Sequence, residues 1–298
     1  MPDYDAPRPD DAPGAATELS AALAVALAAA RAAGEIGARH FRRRVRVERK
    51  ADGTPVTEVD LAIDALLRAR ILGAFPQDGW LSEEGEKGRQ WLDRRRAWVV
   101  DPLDGTSGYL RGEPHWCVAL ALLVDHRPVL GVLHAPALES TWWATAAGGA
   151  FLNGERIRAS GRTELEGAEV IGPKAVSRAD CWRTPWPRVR VRRYPSLALR
   201  LALVADGSAD AMLAPGRKNY WDVAAGDVIV REAGGRVADL RGAPLRYEAE
   251  TAKVNGIVAA GEGLFEAVLH RAKGFRCGDR AHGRHGGRGE THGNHEGG

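Results

Sequence analysis

Residues 98–106 read WVVDPLDGT, an apolar run followed by two aspartates, a proline and a glycine. The run predicts a buried strand over residues 97–100 that places Asp101 at its carboxyl end. Because Pro102 cannot continue a strand ladder, we expect a turn that brings Asp104 back beside Asp101. The stretch therefore predicts two carboxylates that face the same point at the end of a strand.

This pair of carboxylates is a candidate site for a divalent cation. Two such charges cannot both stay ionised at close range without a counter-ion, and carboxylates with a carbonyl such as that of Leu103 suit Mg²⁺ or Mn²⁺. Gly105 permits close backbone approach, and the amides of Gly105 and Thr106 at the start of a following helix would bind a phosphate. The alternative is an ordinary acidic turn, since Asp, Pro and Gly are common turn residues.

Further acidic residues occur before and after this stretch in the sequence. Asp60 ends the segment PVTEVD, Glu83 and Glu84 stand in WLSEEG, and Asp222 stands in YWDVAAG. Their joint occurrence argues against an isolated acidic turn. Asp222 has a structural alternative, because an acidic residue at the start of a helix often caps it. Glu84 is expected to support the site from outside the ligand set or to be exposed.

The composition is that of an ordinary globular protein. The chain has 298 residues, of which 44% are hydrophobic and 27% charged, with a net charge of +3 that does not indicate a nucleic-acid polymer as partner. Cys117, Cys181 and Cys277 are widely spaced and form no CxxC pair, which argues against a disulfide framework and a structural zinc site. A reducing cytoplasm fits this cysteine usage best.

No targeting or membrane segment is predicted. The N-terminus MPDYD lacks the basic region of a signal peptide. The apolar run over residues 21–30 is rich in alanine and is far shorter than the roughly 20 residues that a membrane span needs. We therefore expect a cytoplasmic protein with no membrane contact.

The pattern of apolar residues divides the chain into four predicted parts. They are a disordered arm over residues 1–16, an N-terminal α+β lobe with the metal site over 17–165, a C-terminal α/β lobe over 166–273, and a disordered Gly/His/Arg tail over 274–298. Within the lobes, the apolar and turn patterns predict a set of helices and strands. The helices are 17–44, 58–75, 196–206 and 222–233; the strands are 97–100, 116–124, 128–134, 142–145, 156–159, 170–172, 189–192, 211–213, 237–239 and 257–260.

The order of these motifs resembles the inositol monophosphatase superfamily. That pattern is an Asp, a Glu-Glu pair, DPxDGT, and WDxAA ahead of a helix that ends in Gly-Gly, and this chain contains every element in that order between about residues 21 and 269. The resemblance implies an α/β fold of the inositol monophosphatase and fructose-1,6-bisphosphatase type. In that fold, layers in the order αβαβα form two lobes with the site between them.

The resemblance also implies a set of metal ligands. Glu83, Asp101 and the carbonyl of Leu103 would hold the first metal, and Asp101, Asp104 and Asp222 would hold the second. The expected cofactor is Mg²⁺, about two or three ions, with Mn²⁺ as an alternative. Li⁺ is expected to inhibit such a site.

The catalytic roles follow from the same resemblance. Thr106, with Asp60 behind it, would help deprotonate the water on the metal that Glu83 holds, and the other metal would stabilise the leaving alkoxide. This is in-line displacement without a covalent phosphoenzyme. Lys50 precedes a predicted hairpin that helps hold a further metal in the family, although a solvated lysine is the alternative. A regulatory protein that keeps the fold without catalysis is a less favoured reading, because a pure binder has no need of clustered like charges.

The substrate class is indicated by the second lobe. Inositol-specific members place a Glu shortly before the WD pair, whereas residues 214–220 read APGRKNY and contain no acid. Together with SLALRL at 196–201, this stretch is more similar to bacterial 3'(2'),5'-bisphosphate nucleotidases of the CysQ type. The alternative is an inositol-1-monophosphatase or a broad-specificity sugar, polyol or histidinol phosphatase.

A substrate with a second phosphate needs a cation away from the metals. Candidates are Lys174, Arg193, Arg200, Arg217 and Lys218, and the alternative for each is an arginine-rich surface. The full expected substrate-binding set is Gly105, Thr106, Arg200, Lys218 and Asp222. The expected partner is a small-molecule phosphomonoester. The sequence leaves the oligomeric state open, with a homodimer as one alternative because relatives are often dimers.

Overall fold

A computed structural model describes residues 15–51, 53–85 and 88–276. Of the arm predicted over residues 1–16, residues 1–14 lie outside the described residues, and the other two begin the first helix. The predicted tail lies outside them from residue 277 onward. The change from the first sheet to the second falls over residues 157–168, which include the expected boundary between lobes at 165 and 166.

The described residues form helices and strands throughout. The helices are α1 (Ala15–His40), α2 (Glu58–Ala74), α3 (Thr106–Leu110), α4 (Leu197–Ala205), α5 (Ala224–Glu232) and α6 (Glu262–Ala272). The strands are β1 (Val47–Arg49), β2 (Pro55–Thr57), β3 (Gly79–Ser82), β4 (Arg96–Asp104), β5 (Cys117–Val124), β6 (Arg127–Ala135), β7 (Ser140–Thr145), β8 (Gly149–Leu152), β9 (Glu155–Arg156), β10 (Glu169–Ile171), β11 (Arg190–Arg192), β12 (Ala211–Asn219), β13 (Gly235–Ala238) and β14 (Lys253–Gly261).

Two sheets and three helical layers alternate through the molecule. One sheet has seven strands in the order β3-β4-β5-β6-β7-β8-β9, and the other has five in the order β11-β10-β12-β14-β13. Helices α1 and α2 pack on the outer face of the first sheet, α4 and α5 fill the space between the sheets, and α6 covers the second sheet. This arrangement confirms the αβαβα layers that the family resemblance implies.

The first helix packs through alanines. Ala22, Ala26 and Ala29 recur at helical spacing and are buried against α2 and the first sheet, since small side chains allow close helix approach. By length and composition alone, α1 could cross a membrane. The helix ends at His40, four residues before the predicted end, because Arg42 adopts a left-handed conformation with φ 60° and turns the chain.

The prediction of a turn at Pro102 is wrong. Strand β4 runs on to Asp104, and its pairing with β5 moves from Asp101 opposite Ala119 to Asp104 opposite Cys117. A bulge between these pairs accommodates the proline, which lacks the N–H that a regular ladder needs. The two aspartates therefore leave the same strand on either side of a bulge.

Other boundaries differ from the sequence pattern in smaller ways. The strand predicted over 156–159 is confined to Glu155–Arg156, and the helix predicted over 222–233 begins at Ala224. Helix α6 is absent from the predictions although Leu264, Phe265 and Val268 recur at helical spacing and are buried. Cys117 is a free, buried thiol, but Cys181 is disulfide-bonded, so the prediction of cysteines without a disulfide is wrong at that position.

One glycine lets the central helical layer approach the first sheet. A Cβ on Gly131 in β6 would lie 2.4 Å from the carbonyl oxygen of Ala225 and 2.6 Å from Val228 Cγ1, both in α5. We expect Gly131→Ala to lower the free energy of unfolding by about 1–3 kcal/mol, because helix backbone must move to admit the methyl group.

Thermal unfolding of purified variants measures this effect. Gly73→Ala is the matched control, because Gly73 lies in α2 and the added methyl group would meet no other described residue within 4 Å outside its own helix backbone. A helical glycine replaced by alanine stabilises by up to about 1 kcal/mol. Equal shifts in Tm for the two variants would contradict the close packing of β6 on α5.

Candidate active site

Three carboxylates that are distant in the chain meet between the two sheets. Glu83 follows the end of β3, where its N–H donates to the Val100 carbonyl at 3.1 Å; Asp101 lies in β4; and Asp222 precedes α5. A carboxylate oxygen from each lies within 4.8 Å of the other two. Such a group of hard oxygen donors fits a divalent cation.

Burial and mutual repulsion hold protons on this group. Asp101 is 1% exposed, and burial together with the charges of Glu83, Asp104 and Asp222 raises the pKa of its carboxyl well above the usual range. Burial, followed by the charges of Asp104 and Glu83, raises the pKa of Asp222 to about 8. Without a cation, these carboxyls therefore share protons near neutral pH.

Asp104 stands beside this group and is fastened to α4. Its Oδ2 accepts hydrogen bonds from Ser196 Oγ and from the backbone N–H of Ala198, both at 2.6 Å. Burial raises the pKa of Asp104 to about 6, while these bonds and the charge of Arg200 oppose the rise. Asp104 acts electrostatically on Asp101 and Asp222 but lies outside the trio within 4.8 Å. The sequence did not indicate this contact between Ser196 and Asp104.

Asp60 and Thr106 form a second, connected pair. The Thr106 hydroxyl lies 3.0 Å from Asp60 Oδ1 and 2.9 Å from the Leu103 carbonyl oxygen. Asp60 Oδ2 accepts from the backbone N–H and the hydroxyl of Thr57, in a capping box at the start of α2. Burial raises the pKa of Asp60, although its bonds to Thr57 and Thr106 oppose the rise. Gly105, with φ 96°, turns the chain from the strand into α3.

Lys50 places an ammonium group against the carboxylates. Its Nζ lies 2.7 Å from Glu83 Oε1 and 2.6 Å from Glu84 Oε1. The β1–β2 hairpin delivers it, with the Lys50 N–H donating to the Thr54 carbonyl at 2.9 Å. Burial lowers the pKa of Lys50, but Glu83 and Glu84 more than offset this and raise it. The sequence left a solvated lysine as an alternative, and the structure shows an ion pair instead.

Glu84 is part of this arrangement and is not exposed. Its side chain is 6% exposed. Burial raises the pKa of Glu84 to about 7, the hydrogen bond from Lys50 opposes the rise, and the charge of Glu83 adds to it. Glu84 thus holds the lysine from behind Glu83, which agrees with its predicted place outside the ligand trio.

Among the predicted substrate cations, Arg200 is the one for which an interaction with the site carboxylates is described. Arg200 in α4 is partly buried, donates from Nε to the Tyr194 carbonyl at 2.7 Å, and interacts with the charges of Asp104 and Asp222. Lys218 lies on β12 opposite Val254 in β14. No described contact brings the other candidates to the carboxylates. Lys174 lies in a short 3₁₀ helix and Arg193 is exposed. Arg217 Nη2 lies 3.5 Å from Thr251 Oγ1.

Asp222 does not cap the following helix. Helix α5 begins at Ala224 with Val223 as its cap residue, and no side chain makes a capping hydrogen bond there. Asp222 Oδ2 instead accepts from the backbone N–H and side-chain amide of Asn219 at 3.2 and 3.3 Å. Its carboxylate is thereby oriented into the cluster and not towards the helix.

A cavity opens beside Glu83 and Lys50. Its volume is about 260 Å³, and it separates the hairpin from the end of β12 and the start of β14. Aromatic and polar groups line it together, among them Trp91, Asn219, Trp221, Thr251 and Lys253. The cavity is large enough to receive part of a small molecule next to the carboxylates.

The raised pKa values predict an unusual pH dependence for the metal-free protein. In the folded state Asp104, Glu84 and Asp222 hold protons up to about pH 6, 7 and 8, whereas the unfolded chain releases them near pH 4. Because the folded state then binds more protons, the free energy of unfolding falls as pH rises from about 4 to 8. Saturating Mg²⁺ should abolish this fall, because the cation replaces the protons.

Thermal unfolding across this pH range, with chelator and with Mg²⁺, measures the effect. Asp222→Asn is the control, since among Asp104, Glu84 and Asp222 it removes the carboxyl with the highest pKa. A metal-free Tm that rises steadily from pH 4 to 8 would contradict the clustering of these carboxyls.

Comparison with known proteins places the whole arrangement in a family. The profile of the "Inositol monophosphatase family" matches residues 18–273. Histidinol-phosphatase of Mycobacterium tuberculosis is 35% identical over 229 residues, which are 72% of this chain and 85% of that protein. Nus factor SuhB of Xylella fastidiosa is 39% identical over 232 residues, 74% of this chain and 83% of that protein.

Other similar proteins include a nucleotidase and a solved structure. The 3'(2'),5'-bisphosphate nucleotidase CysQ of Aggregatibacter actinomycetemcomitans is 33% identical over 226 residues, 72% of this chain and 83% of that protein. Among solved structures, an IMPase of Thermotoga maritima superposes with a TM-score of 0.73 at 32% identity and covers 84% of this chain and 96% of its own. By profile, sequence and fold, the chain belongs to the inositol monophosphatase family of phosphatases.

Proposed function

We propose that this protein is a Mg²⁺-dependent hydrolase of small phosphomonoesters, with 3'(2'),5'-bisphosphate nucleotides as the preferred substrates. The observation that carries the proposal is the convergence of Glu83, Asp101 and Asp222 within 4.8 Å, with Asp104 alongside. Acidic groups this close to one another, with Asp101 fully buried, are costly to the fold, which is typical of a site kept for its chemistry.

In this proposal the carboxylates and one carbonyl hold the cations. Glu83, Asp101 and the Leu103 carbonyl would form one site, and Asp101, Asp104 and Asp222 the other. When bound, Mg²⁺ supplies positive charge that acidifies a water molecule and balances the leaving oxygen. The backbone of Leu103 is held close to Asp101, because the Leu103 N–H donates a hydrogen bond to Asp101 Oδ1 at 3.0 Å.

Thr106 and Asp60 would carry the proton away from the attacking water. The Thr106 hydroxyl accepts the water proton as it passes its own to Asp60 Oδ1, 3.0 Å away. Asp60 is suited to receive it, because burial already raises its pKa and Thr57 fixes the other carboxylate oxygen. The N–H groups of Gly105 and Thr106 would orient the phosphate at the start of α3.

Substrate preference is proposed from the cations of the second lobe. Arg200 lies close enough to Asp104 and Asp222 for their charges to act on it, and residues 214–220 contain no acid for ring hydroxyls. A relative at 33% identity is named a bisphosphate nucleotidase. The second candidate is a histidinol or inositol phosphatase, which the name of the histidinol-phosphatase relative at 35% identity supports. A cytoplasmic location and a homodimer stay part of the proposal.

The test is a ranking of kcat/KM for 3'-phosphoadenosine 5'-phosphate, inositol 1-phosphate and histidinol phosphate with Mg²⁺. We expect the bisphosphate to rank first. Dominance of either monophosphate would replace the nucleotidase proposal with the second candidate and leave the phosphatase class intact.

Replacing Arg200 tests the origin of that preference. We expect Arg200→Gln to raise KM for the bisphosphate about tenfold or more, because a guanidinium–phosphate contact is lost, and to raise it less for a monophosphate. Arg200→Lys should restore part of the loss. Arg241→Gln, which removes an exposed arginine of the same lobe that is not among the candidate cations, is the control. An equal loss with both kinds of substrate would assign Arg200 to the support of Asp104.

A further inference from the structure

A second cavity lies away from the carboxylates and is lined by arginines. Its volume is about 360 Å³. Its walls come from the segment after α1 and from α3 with the turn that follows it: Arg42, Arg43, Val45, Tyr109, Leu110, Arg111 and Gly112. The cavity shares no lining residue with the trio of Glu83, Asp101 and Asp222. It is therefore a separate feature from the proposed catalytic centre.

Arg42 is held in this cavity by an uncommon backbone conformation. Its φ of 60° is in the left-handed region, which non-glycine residues seldom adopt. The guanidinium is fixed by a hydrogen bond from Nε to the Gly112 carbonyl at 3.1 Å and by stacking 5.1 Å from the Phe41 ring centre. A Cβ on Gly112 would lie 3.3 Å from Arg42 Cγ. Backbone strain and a close glycine thus position one particular arginine.

Positive charge at the cavity exceeds the nearby negative charge. Arg111 pairs with Glu113 at 2.6 Å. Arg42 and Arg43 form no ion pair with any carboxylate in the described part of the chain, and both are exposed. The Nη groups of Arg42 also have no hydrogen-bond partner among the residues described. Two guanidinium groups are therefore available to an anion from solvent.

The apolar part of the wall connects to the catalytic pair. Tyr109 is buried, and its hydroxyl donates to the Gly37 carbonyl in α1 at 2.8 Å. Burial and the charge of Asp60 raise the pKa of Tyr109, which places that tyrosine within electrostatic reach of Asp60. Helix α3 thus carries Thr106 at one end and the cavity wall at the other.

We propose that this cavity binds a small soluble anion that carries more than one phosphate group. Planar guanidinium groups match phosphate oxygens in pairs, and two unneutralised arginines favour a ligand with at least two phosphates. The volume is that of a small-molecule pocket, and Val45, Tyr109 and Leu110 offer apolar contact to an organic part of the ligand. Because no carboxylate of the metal cluster takes part, binding needs no divalent cation.

Calorimetric titration of tripolyphosphate into the full chain with excess chelator tests the proposal. Chelation removes phosphate binding that depends on metal, so the result is independent of the proposed hydrolase activity. We expect saturable binding by the wild type and about tenfold or greater weakening in Arg43→Gln, whose side chain makes no described structural contact. Arg42→Gln/Arg43→Gln should weaken binding further.

Arg68→Gln/Arg70→Gln is the matched control, since it removes two exposed arginines of α2 for which no ion pair is found among the described residues. The proposal requires that this variant bind like the wild type. Equal weakening in both pairs would mean general attraction of anions to an arginine-rich protein and would overturn it. Vesicles of phosphatidylcholine with and without a phosphatidylinositol phosphate form a second arm. Vesicle binding that requires Arg42 and Arg43, without tripolyphosphate binding, would assign the cavity to a lipid headgroup and reject a soluble anion.

Discussion

Asp101→Asn is expected to lower phosphatase activity by about 10³-fold or more and, at the same time, to raise the Tm of the metal-free protein. Activity falls because Asp101 is the carboxylate that both proposed cation sites share, and lost metal charge removes several kcal/mol of transition-state stabilisation. The free energy of unfolding rises because Asp101 is 1% exposed and its carboxylate is repelled by the charges of Glu83, Asp104 and Asp222. A neutral amide removes that repulsion and can donate to the remaining carboxylates.

Two measurements are needed, because a fall in activity alone would also follow from misfolding. Initial rates at saturating Mg²⁺ give the activity, and thermal unfolding with chelator gives the stability. Asp93→Asn, at an exposed position between β3 and β4, is the control and should change neither. If Asp101→Asn keeps wild-type turnover, or if its metal-free Tm falls, the shared-ligand role of Asp101 is wrong.

The sequence predicted that Glu83, Asp101 and Asp222 come together, which the structure shows, but it predicted the wrong backbone path after Asp101. The apolar run over residues 97–100 predicted a buried strand that leads to Asp101, and the structure confirms that run as part of β4. The predicted turn at Pro102 failed because a proline can also be accommodated in a bulge, and the choice depends on the partner strand. Cys117 in β5 pairs with Asp104 and continues the ladder, which local sequence cannot reveal.

Contacts between distant segments were the least predictable features. The bond from Ser196 to Asp104 joins residues 92 positions apart, and that from Lys50 to Glu83 joins residues 33 apart. Neither pair has a local signature, because a serine before a helix is explained by capping and a lysine in a hairpin by solvation. Both contacts could be found only once the fold had brought α4 to the end of β4 and the β1–β2 hairpin to the end of β3.

Lys50 provides the metal-free site with a cation of its own. Its Nζ lies between Glu83 Oε1 and Glu84 Oε1, and all three side chains are less than one quarter exposed, at 18%, 23% and 6%. A divalent cation that binds Glu83 must therefore compete with an ammonium group already bonded to the same oxygen. This competition gives opposite predictions for metal affinity and for metal-free stability.

We expect Lys50→Met to tighten Mg²⁺ binding about tenfold and to lower the Tm of the metal-free protein. Affinity rises because the cation no longer displaces a charged hydrogen bond worth about 1.5 kcal/mol. Stability falls because Glu83 and Glu84 lose their counter-charge, and leaving one member of a partly buried ion pair alone is destabilising. Calorimetry of Mg²⁺ binding and thermal unfolding with chelator measure the two effects.

Two further variants serve as controls, one for the charge at position 50 and one for the position of the lysine in the cavity. Lys50→Arg keeps the positive charge and should leave the metal-free Tm near that of the wild type. Lys253→Met removes an exposed lysine that lines the same 260 Å³ cavity, so it should alter neither quantity. Weaker Mg²⁺ binding in Lys50→Met would mean that the lysine supports the metal-bound state and does not compete with it. Competition is the expected result, because the same Glu83 oxygen that the cation would need accepts the hydrogen bond from Lys50 at 2.7 Å.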